Sequence, residues 1–135
     1  MNEERRREEL QTALLRAVPM IGSREAGRLL GLSDLDPSAA LERLEADGRL
    51  LCFTREGEPL YPLFQFDAAS SRVHPVMVGL LAMRTEDWGG MFAFLNWLVT
   101  PSRSLGGVPP DEKLGSDPER VINFFRVETT EHLAG

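Results

Sequence analysis

The chain has 135 residues, of which 42% are hydrophobic and 27% are charged, and its formal net charge is −6. A chain of this length holds one domain or two very small ones, and its composition favours a packed core over global disorder. The acidic balance argues against unspecific binding of nucleic acid or anionic membranes by the whole surface.

Three features predict a cytoplasmic protein that does not enter a membrane. The single cysteine, Cys52, cannot form an internal disulfide and fits a reducing compartment. No apolar run reaches the roughly 18 residues that a membrane-spanning helix needs. Residues 1–9 carry charges of both signs, so we expect no signal peptide there.

The first predicted element is a helix over residues 3–18. Its apolar side chains recur at helical spacing on one face: Leu10, Ala13, Leu14, Ala17 and Val18. Three arginines at positions 5–7 are followed by two glutamates, so the charges nearly cancel. This pattern is typical either of an arm that contacts phosphate groups or of a solvated face with ion pairs inside the helix.

The pattern of residues 21–66 predicts a small winged helix-turn-helix unit. A helix over residues 23–30 comes first, and Asp36 and Pro37 then open a second helix that ends at Gly48. The order of the elements is helix, turn, helix and then a β-hairpin.

The predicted hairpin, or wing, follows the second helix directly. It consists of a strand over residues 49–54, a turn at residues 56–59 and a return strand over residues 60–64. The aromatic side chains of Tyr61, Phe64 and Phe66 lack the interleaved lysines and arginines of a single-strand nucleic-acid site. We therefore expect a buried strand that packs between the two halves of the chain.

The segment S-R-E-A-G-R-L-L-G-L-S at residues 23–33 resembles the opening helix-turn-helix of many bacterial DNA-binding proteins. Five arginines of this half are the candidate DNA contacts: Arg24, Arg28, Arg43, Arg49 and Arg55. The second helix, however, carries three acidic residues against one arginine, and phosphate attraction supplies much of the affinity for DNA. Two interpretations stay open, which are DNA contact and a winged-helix unit used for protein interaction or dimerisation.

Residues 67–72, with the sequence D-A-A-S-S-R, are small and polar and predict the boundary between two halves. We accordingly expect a winged helix-turn-helix-like region over residues 1–68 and an all-helical domain over residues 69–135. The overall fold class is mainly α with one small hairpin.

The second half contains four predicted helical segments: residues 75–84, 88–99, 111–114 and 118–126. The segment 88–99 is apolar on nearly all sides. Such a helix lies either at the centre of a core or against a partner, and a chain this short can hardly surround it alone. This pattern favours an oligomer or a partner interface.

The residue types of catalytic sites are scarce in this sequence. The two histidines, His74 and His132, have no cysteine, histidine or acidic residues near them at metal-ligand spacing. No glycine-rich phosphate loop follows a strand, and Cys52 lies on a predicted buried strand. We therefore predict no enzyme activity, no metal and no cofactor.

The segment at residues 96–110, N-W-L-V-T-P-S-R-S-L-G-G-V-P-P, concentrates turn-forming residues. Pro101 ends the preceding helix, and Gly106 and Gly107 permit backbone angles that other residues resist. Taken by residue types alone, this segment is a rigid connection between two helices.

The same segment resembles the toxin-binding domain of the Xre/MbcA/ParS class of bacterial antitoxins. The family pattern is W-L, a T-P or S-P pair, a spacer, L-G-G, a proline, a leucine and a final helix entered near a valine. This chain carries Trp97-Leu98, Thr100-Pro101, Leu105-Gly106-Gly107, Pro109, Leu114 and Pro118 to Ile122. The resemblance covers roughly residues 75–130. It departs from the family in its front half, which is unlike the usual Xre-type unit, and in residues 127–135, where only Gly135 fits.

The resemblance implies the antitoxin of a type II toxin–antitoxin pair, which covers the active site of its toxin. The usual toxin is a RES-domain enzyme that consumes NAD, whereas the antitoxin itself binds no NAD. It also implies a homodimer or higher oligomer and leaves autorepression of the operon, through operator DNA, as an option. The implied partner-binding residues are Trp97, Pro101, Arg103, Leu105, Gly106, Gly107, Pro109 and His132, with the tail 127–135 near the toxin's pocket. The alternatives are a stand-alone dimeric transcription regulator and an adaptor without a toxin.

Overall fold

A computed structural model describes residues 2–33, 35–84 and 90–134, and the side chains of the last helix as far as Thr129. Over these residues the fold is mainly helical with a small antiparallel sheet, as the sequence predicts. Its α-helices are α1 (Asn2–Ala17), α2 (Ser23–Leu29), α3 (Ser38–Ala46), α4 (Pro75–Met83), α5 (Gly90–Val99) and α6 (Pro118–Ala134). The predicted start of the fifth helix, at Trp88, lies outside the described residues.

Three short strands form the larger sheet: β1 (Met20–Ile21), β2 (Phe53–Arg55) and β3 (Glu58–Pro62). Their order is β1-β3-β2 and both pairings are antiparallel. The β2–β3 turn has only two residues, Glu56 and Gly57, and both have positive φ. A two-residue turn of this kind matches the twist of a hairpin. The return strand therefore begins at Glu58, two residues before the predicted start.

The strand predicted over residues 49–54 begins only at Phe53, because the backbone of Leu51 is hydrogen-bonded to a side chain and not to a neighbouring strand. The Leu51 N–H donates to Gln65 Oε1 at 2.9 Å, and Gln65 Nε2 donates to the Leu51 carbonyl at 2.8 Å. Gln65 is fully buried. Its amide satisfies both backbone groups of Leu51, as buried polar groups require, without a β-ladder.

The predicted boundary at residues 67–72 is part of a second, smaller hairpin. Strands β4 (Phe66–Asp67) and β5 (Arg72–Val73) pair antiparallel around a short 3₁₀ turn, Ala68–Ser70. Arg72 Nε lies 3.3 Å from Asp67 Oδ2 across this hairpin. The preceding aromatic stretch is buried as expected, since Tyr61 and Phe66 are among the core residues.

Two hydrophobic clusters hold the chain together. The smaller cluster joins α2, α3 and the hairpins through Ala26, Leu41, Leu50, Tyr61 and Phe66. The larger cluster joins α1, β2 and α4 to α6, and its buried members include Leu15, Phe53, Leu80, Leu95 and Phe125. Residues from both sides of position 68 thus share the larger cluster. The division into domains 1–68 and 69–135 stays a prediction.

Helices α2 and α3 approach each other closely at Gly27. A Cβ atom built on Gly27 would lie 2.6 Å from Pro37 Cγ, so only glycine fits at this contact. The predicted cap is present, because Asp36 Oδ1 accepts a hydrogen bond from the Ser38 N–H at 3.1 Å.

The final helix is longer than predicted. The sequence pattern predicts that it ends at Arg126 and that residues 127–135 form a tail, but α6 continues to Ala134. No glycine or proline interrupts residues 119–134, so nothing in the backbone stops the helix. The predicted helix at residues 111–114 is instead a 3₁₀ turn, Pro110–Lys113. None of the helices in the described residues is long and apolar enough to cross a membrane.

Candidate partner-binding surface

The loop between α5 and α6 closes on itself through backbone hydrogen bonds. The Ser102 N–H donates to the Val108 carbonyl at 3.1 Å, and the Gly107 N–H donates to the Ser102 carbonyl at 2.8 Å. Gly106 and Gly107 both have positive φ, at 76° and 86°. Two consecutive residues in the left-handed backbone region are energetically costly unless both are glycine, which explains the Gly-Gly pair.

A buried leucine anchors this loop to the body of the protein. Leu105 is 1% exposed and lies in a 3₁₀ turn, Arg103–Leu105, which contacts α6. Arg120 Nε, on α6, donates to the Ser104 carbonyl at 2.9 Å. The loop is therefore held from inside by an apolar side chain and from outside by a guanidinium.

Trp97 is built into an aromatic cluster beneath the loop. Its ring stacks on Phe124, with centroids 5.2 Å apart, and meets the edge of Phe125 at 5.0 Å. Phe94, also on α5, lies 6.4 Å away. Aromatic pairs at these separations stabilise beyond their buried area. Trp97 is partly buried, so its main contacts are within the chain.

We use the name loop surface for the exposed residues Pro101, Arg103, Gly106, Gly107, Arg120 and Val127. Arg120 and Val127 share a face of α6 with Phe124, because positions seven and four apart align on a helix. Val127 is 54% exposed. In a chain with net charge −6, this surface combines two guanidinium groups with an apolar side chain.

The structure divides the predicted partner-binding residues into two groups. Pro101, Arg103, Gly106 and Gly107 are exposed on the loop surface, and Pro109 is partly buried. Trp97 and Leu105 point into the chain, so any effect of these two on a partner would be indirect. The side chain of His132 lies outside the described residues.

Two members of the loop surface, Arg120 and Val127, are not among the partner-binding residues predicted from the sequence. Arg120 was available only as part of the family pattern, and Val127 was assigned to a tail. The sequence signal that could have found them is their spacing of seven residues. In a helix that continues beyond Arg126, this spacing places both residues on one face.

The five predicted DNA-contacting arginines are all exposed: Arg24, Arg28, Arg43, Arg49 and Arg55. Arg28 is already paired, with its Nε 3.0 Å from Glu25 Oε2. That hydrogen bond lowers the pKa of Glu25 and raises the pKa of Arg28. A paired guanidinium is less available to a phosphate group.

A groove between α3 and the β2–β3 hairpin is acidic. Three glutamates line it, Glu42, Glu45 and Glu58, in a cavity of about 340 Å³. Cys52 also lines this groove, and burial, followed by the charge of Glu45, raises the pKa of its thiol to about 11. The thiol is thus protonated at neutral pH and a poor nucleophile.

Asp111 is a carboxyl with one oxygen shielded from solvent at the start of the Pro110–Lys113 turn. Its Oδ1 has no hydrogen-bond partner in the described part of the chain. Burial, followed by the charge of Glu112, raises the pKa of Asp111 to about 6. Compared with a carboxyl in water, the folded protein therefore stabilises the protonated form of this side chain.

Within residues 2–33, 35–84 and 90–134, no group of three histidine, cysteine or acidic residues could hold a metal ion. His74 is the N-cap residue of α4, but its side chain makes no capping hydrogen bond. Its ring lies against Gly115, where an added Cβ would come within 3.2 Å of His74 Cε1.

No family model, curated protein or solved structure matches this chain. The geometry of the loop surface and the sequence pattern that produces it are therefore the observations that bear on its function.

Proposed function

We propose that this chain is the antitoxin of a type II toxin–antitoxin pair, which binds and blocks a RES-type, NAD-consuming toxin in the cytoplasm. The observation that carries the proposal is the closed loop at residues 101–108. Its backbone is fixed by its own hydrogen bonds, and its outer side is exposed. A preorganised surface loses little conformational entropy when a partner binds.

The composition of the loop surface also supports a protein partner. Protein interfaces are enriched in arginine, methionine and aromatic side chains, and they are depleted of lysine and acidic residues. Arg103 and Arg120 supply the favoured residue type, and both are exposed. No cofactor takes part in this function, because blocking a toxin requires contact alone.

The front half supports a second candidate, a stand-alone dimeric DNA-binding regulator. The order α1, β1, α2, α3 and a hairpin, with strand order β1-β3-β2, favours the winged helix-turn-helix interpretation. The acidic groove beside α3 weighs against DNA binding by this face, since it would repel phosphate groups. Autorepression by the proposed antitoxin would use the same five arginines.

Affinity purification of the tagged full chain from its own cells tests the antitoxin proposal. We expect a stoichiometric partner that consumes NAD when isolated and loses this activity when the chain is added back. Arg103→Glu and Val127→Asp should each weaken the complex at least about tenfold, since hot-spot truncations at interfaces cost on the order of 2 kcal/mol.

Arg43→Glu is the matched control, because Arg43 is also exposed but lies on α3. It should leave inhibition of the toxin unchanged. A chain that purifies alone, or only with DNA, would overturn the antitoxin proposal. DNA binding that is lost on Arg24→Glu or Arg28→Glu would then favour the regulator.

A further inference from the structure

A cavity of about 290 Å³ opens where α2 and α3 meet the smaller hairpin and α4. Its wall is aliphatic, and five partly buried side chains form it: Leu30, Leu32, Leu44, Val73 and Val78. This volume lies just below the range of roughly 300–1,000 Å³ found for small-molecule sites. Such sites combine an apolar wall with a few polar groups that fix the orientation of the ligand.

The polar groups at this cavity are cationic. Arg49, just after α3, and Arg72, on β5, both line it together with Ser71. Arg72 is steadied by Asp67 at 3.3 Å, whereas Arg49 has no ion pair within the described residues. Among the residues that the structure describes, no acidic side chain lines the cavity.

We propose that this cavity binds a small aliphatic carboxylate. The hydrocarbon part of the ligand covers the partly exposed leucines and valines, and its carboxylate pairs with the guanidinium of Arg49. An arginine can hold a carboxylate through two parallel hydrogen bonds, which gives both attraction and orientation. An uncharged ligand of the same length would gain only the apolar contact.

The location of the cavity suggests what binding would do. Leu30, Leu32 and Leu44 belong to the smaller hydrophobic cluster, Val73 packs against both clusters, and Val78 is on α4. A ligand that bridges these elements stabilises their present arrangement, because it binds the folded state and not the unfolded chain. This inference is independent of the proposed toxin.

The test is a titration of the full chain, labelled with ¹⁵N, with hexanoate and separately with hexan-1-ol. We expect saturable shifts of the amides of Leu32, Val73 and Val78 with hexanoate, and an affinity for hexan-1-ol that is at least about tenfold lower. Arg49→Gln should reduce the affinity for hexanoate by at least about tenfold and leave that for hexan-1-ol unchanged.

Arg55→Gln provides the control, since Arg55 is equally exposed but lies on the hairpin away from the cavity. It should bind hexanoate like the unmodified chain. Equal affinity for the acid and the alcohol, equal loss in the two arginine variants, or no saturable binding of hexanoate would each overturn the proposal. Arg49 is exposed, so its substitution is not expected to prevent folding.

Discussion

The two hydrophobic clusters differ in how far apart their members are in the sequence. The smaller cluster is assembled from residues 21–66 and Val73, with helices and hairpin that follow one another along the chain. The larger cluster brings Leu15, near one end, against α5 and Phe125, near the other. Contacts between elements that are close together in the sequence therefore form the smaller cluster, whereas the larger cluster needs contacts across nearly the whole chain.

The junction between the clusters is both apolar and polar. Leu50 belongs to the smaller cluster and its neighbour Leu51 to the larger one, and Val73 packs against both. The buried amide of Gln65 is bonded to both backbone groups of Leu51 at this junction. A buried amide that makes both of its hydrogen bonds fixes one position of the two clusters relative to each other. Apolar contacts alone fix this position less strictly. The two clusters should accordingly unfold together.

The largest expected effect comes from truncating one leucine in each cluster. Leu95 and Leu41 are both 0% exposed, so Leu95→Ala and Leu41→Ala should each lower the free energy of unfolding by about 3 kcal/mol. Urea titration followed by circular dichroism measures the loss. Native-state hydrogen exchange should show lower protection in both clusters for either variant. Unchanged protection of α5 and α6 in Leu41→Ala would mean that the smaller cluster unfolds by itself.

A smaller loss is expected at the polar junction. Gln65→Ala leaves the N–H and the carbonyl of Leu51 without partners in a buried position, which should cost about 2 kcal/mol. Chemical denaturation measures this loss against Gln11→Ala, a partly buried glutamine on α1 that should change stability by less than about 0.5 kcal/mol. If the two variants were equally stable, the Gln65 amide would not link the clusters.

The smallest effect concerns the pH dependence of stability. Because the pKa of Asp111 is about 6 in the folded chain and lower in the unfolded chain, the folded state binds more protons between about pH 4 and pH 6. The stability that the protonated Asp111 carboxyl contributes is therefore lost as the pH rises towards and through 6. Asp111→Asn should stabilise the chain at pH 7 by about 1 kcal/mol, after allowance for solvent screening of this half-exposed carboxyl.

Thermal melts of the unmodified chain and of Asp111→Asn at pH 4, 5, 6 and 7 measure this difference. The gap in melting temperature should widen between pH 4 and pH 6 and then stay constant. Parallel curves across this range would contradict the assignment of the titration to Asp111.

Much of the helical framework follows from local signals. Asp36 and Pro37 mark the start of α3, and the apolar spacing of residues 10–18 places α1 within one residue at each end. The turn at Glu56-Gly57 was located as well, although the predicted turn included Glu58 and Pro59, which belong to β3. Pro59 is tolerated there because β1 pairs with β3 only at Tyr61 and Pro62, so at Pro59 the strand has β2 on one side and no ladder partner on the other.

The candidate site was only partly predictable. The turn chemistry of Pro101, Gly106 and Gly107 located the loop, since each residue type has a conformational reason of its own. Which side chains face outward could not be inferred, because Leu105 and Arg103 lie two residues apart in the same irregular segment. Their opposite exposure depends on the contact of this turn with α6.

The sequence by itself determined the approximate positions of the helices other than residues 111–114 and the end of α6, the position of the wing turn and a rigid connection between α5 and α6, because these depend on backbone preferences over a few residues. Only the tertiary structure decided that Leu51 is paired by Gln65, that Gly27 lies against Pro37, and that Arg120 holds the loop. Each of these contacts joins residues 10 to 16 positions apart, and neither propensity nor periodicity specifies such a pairing.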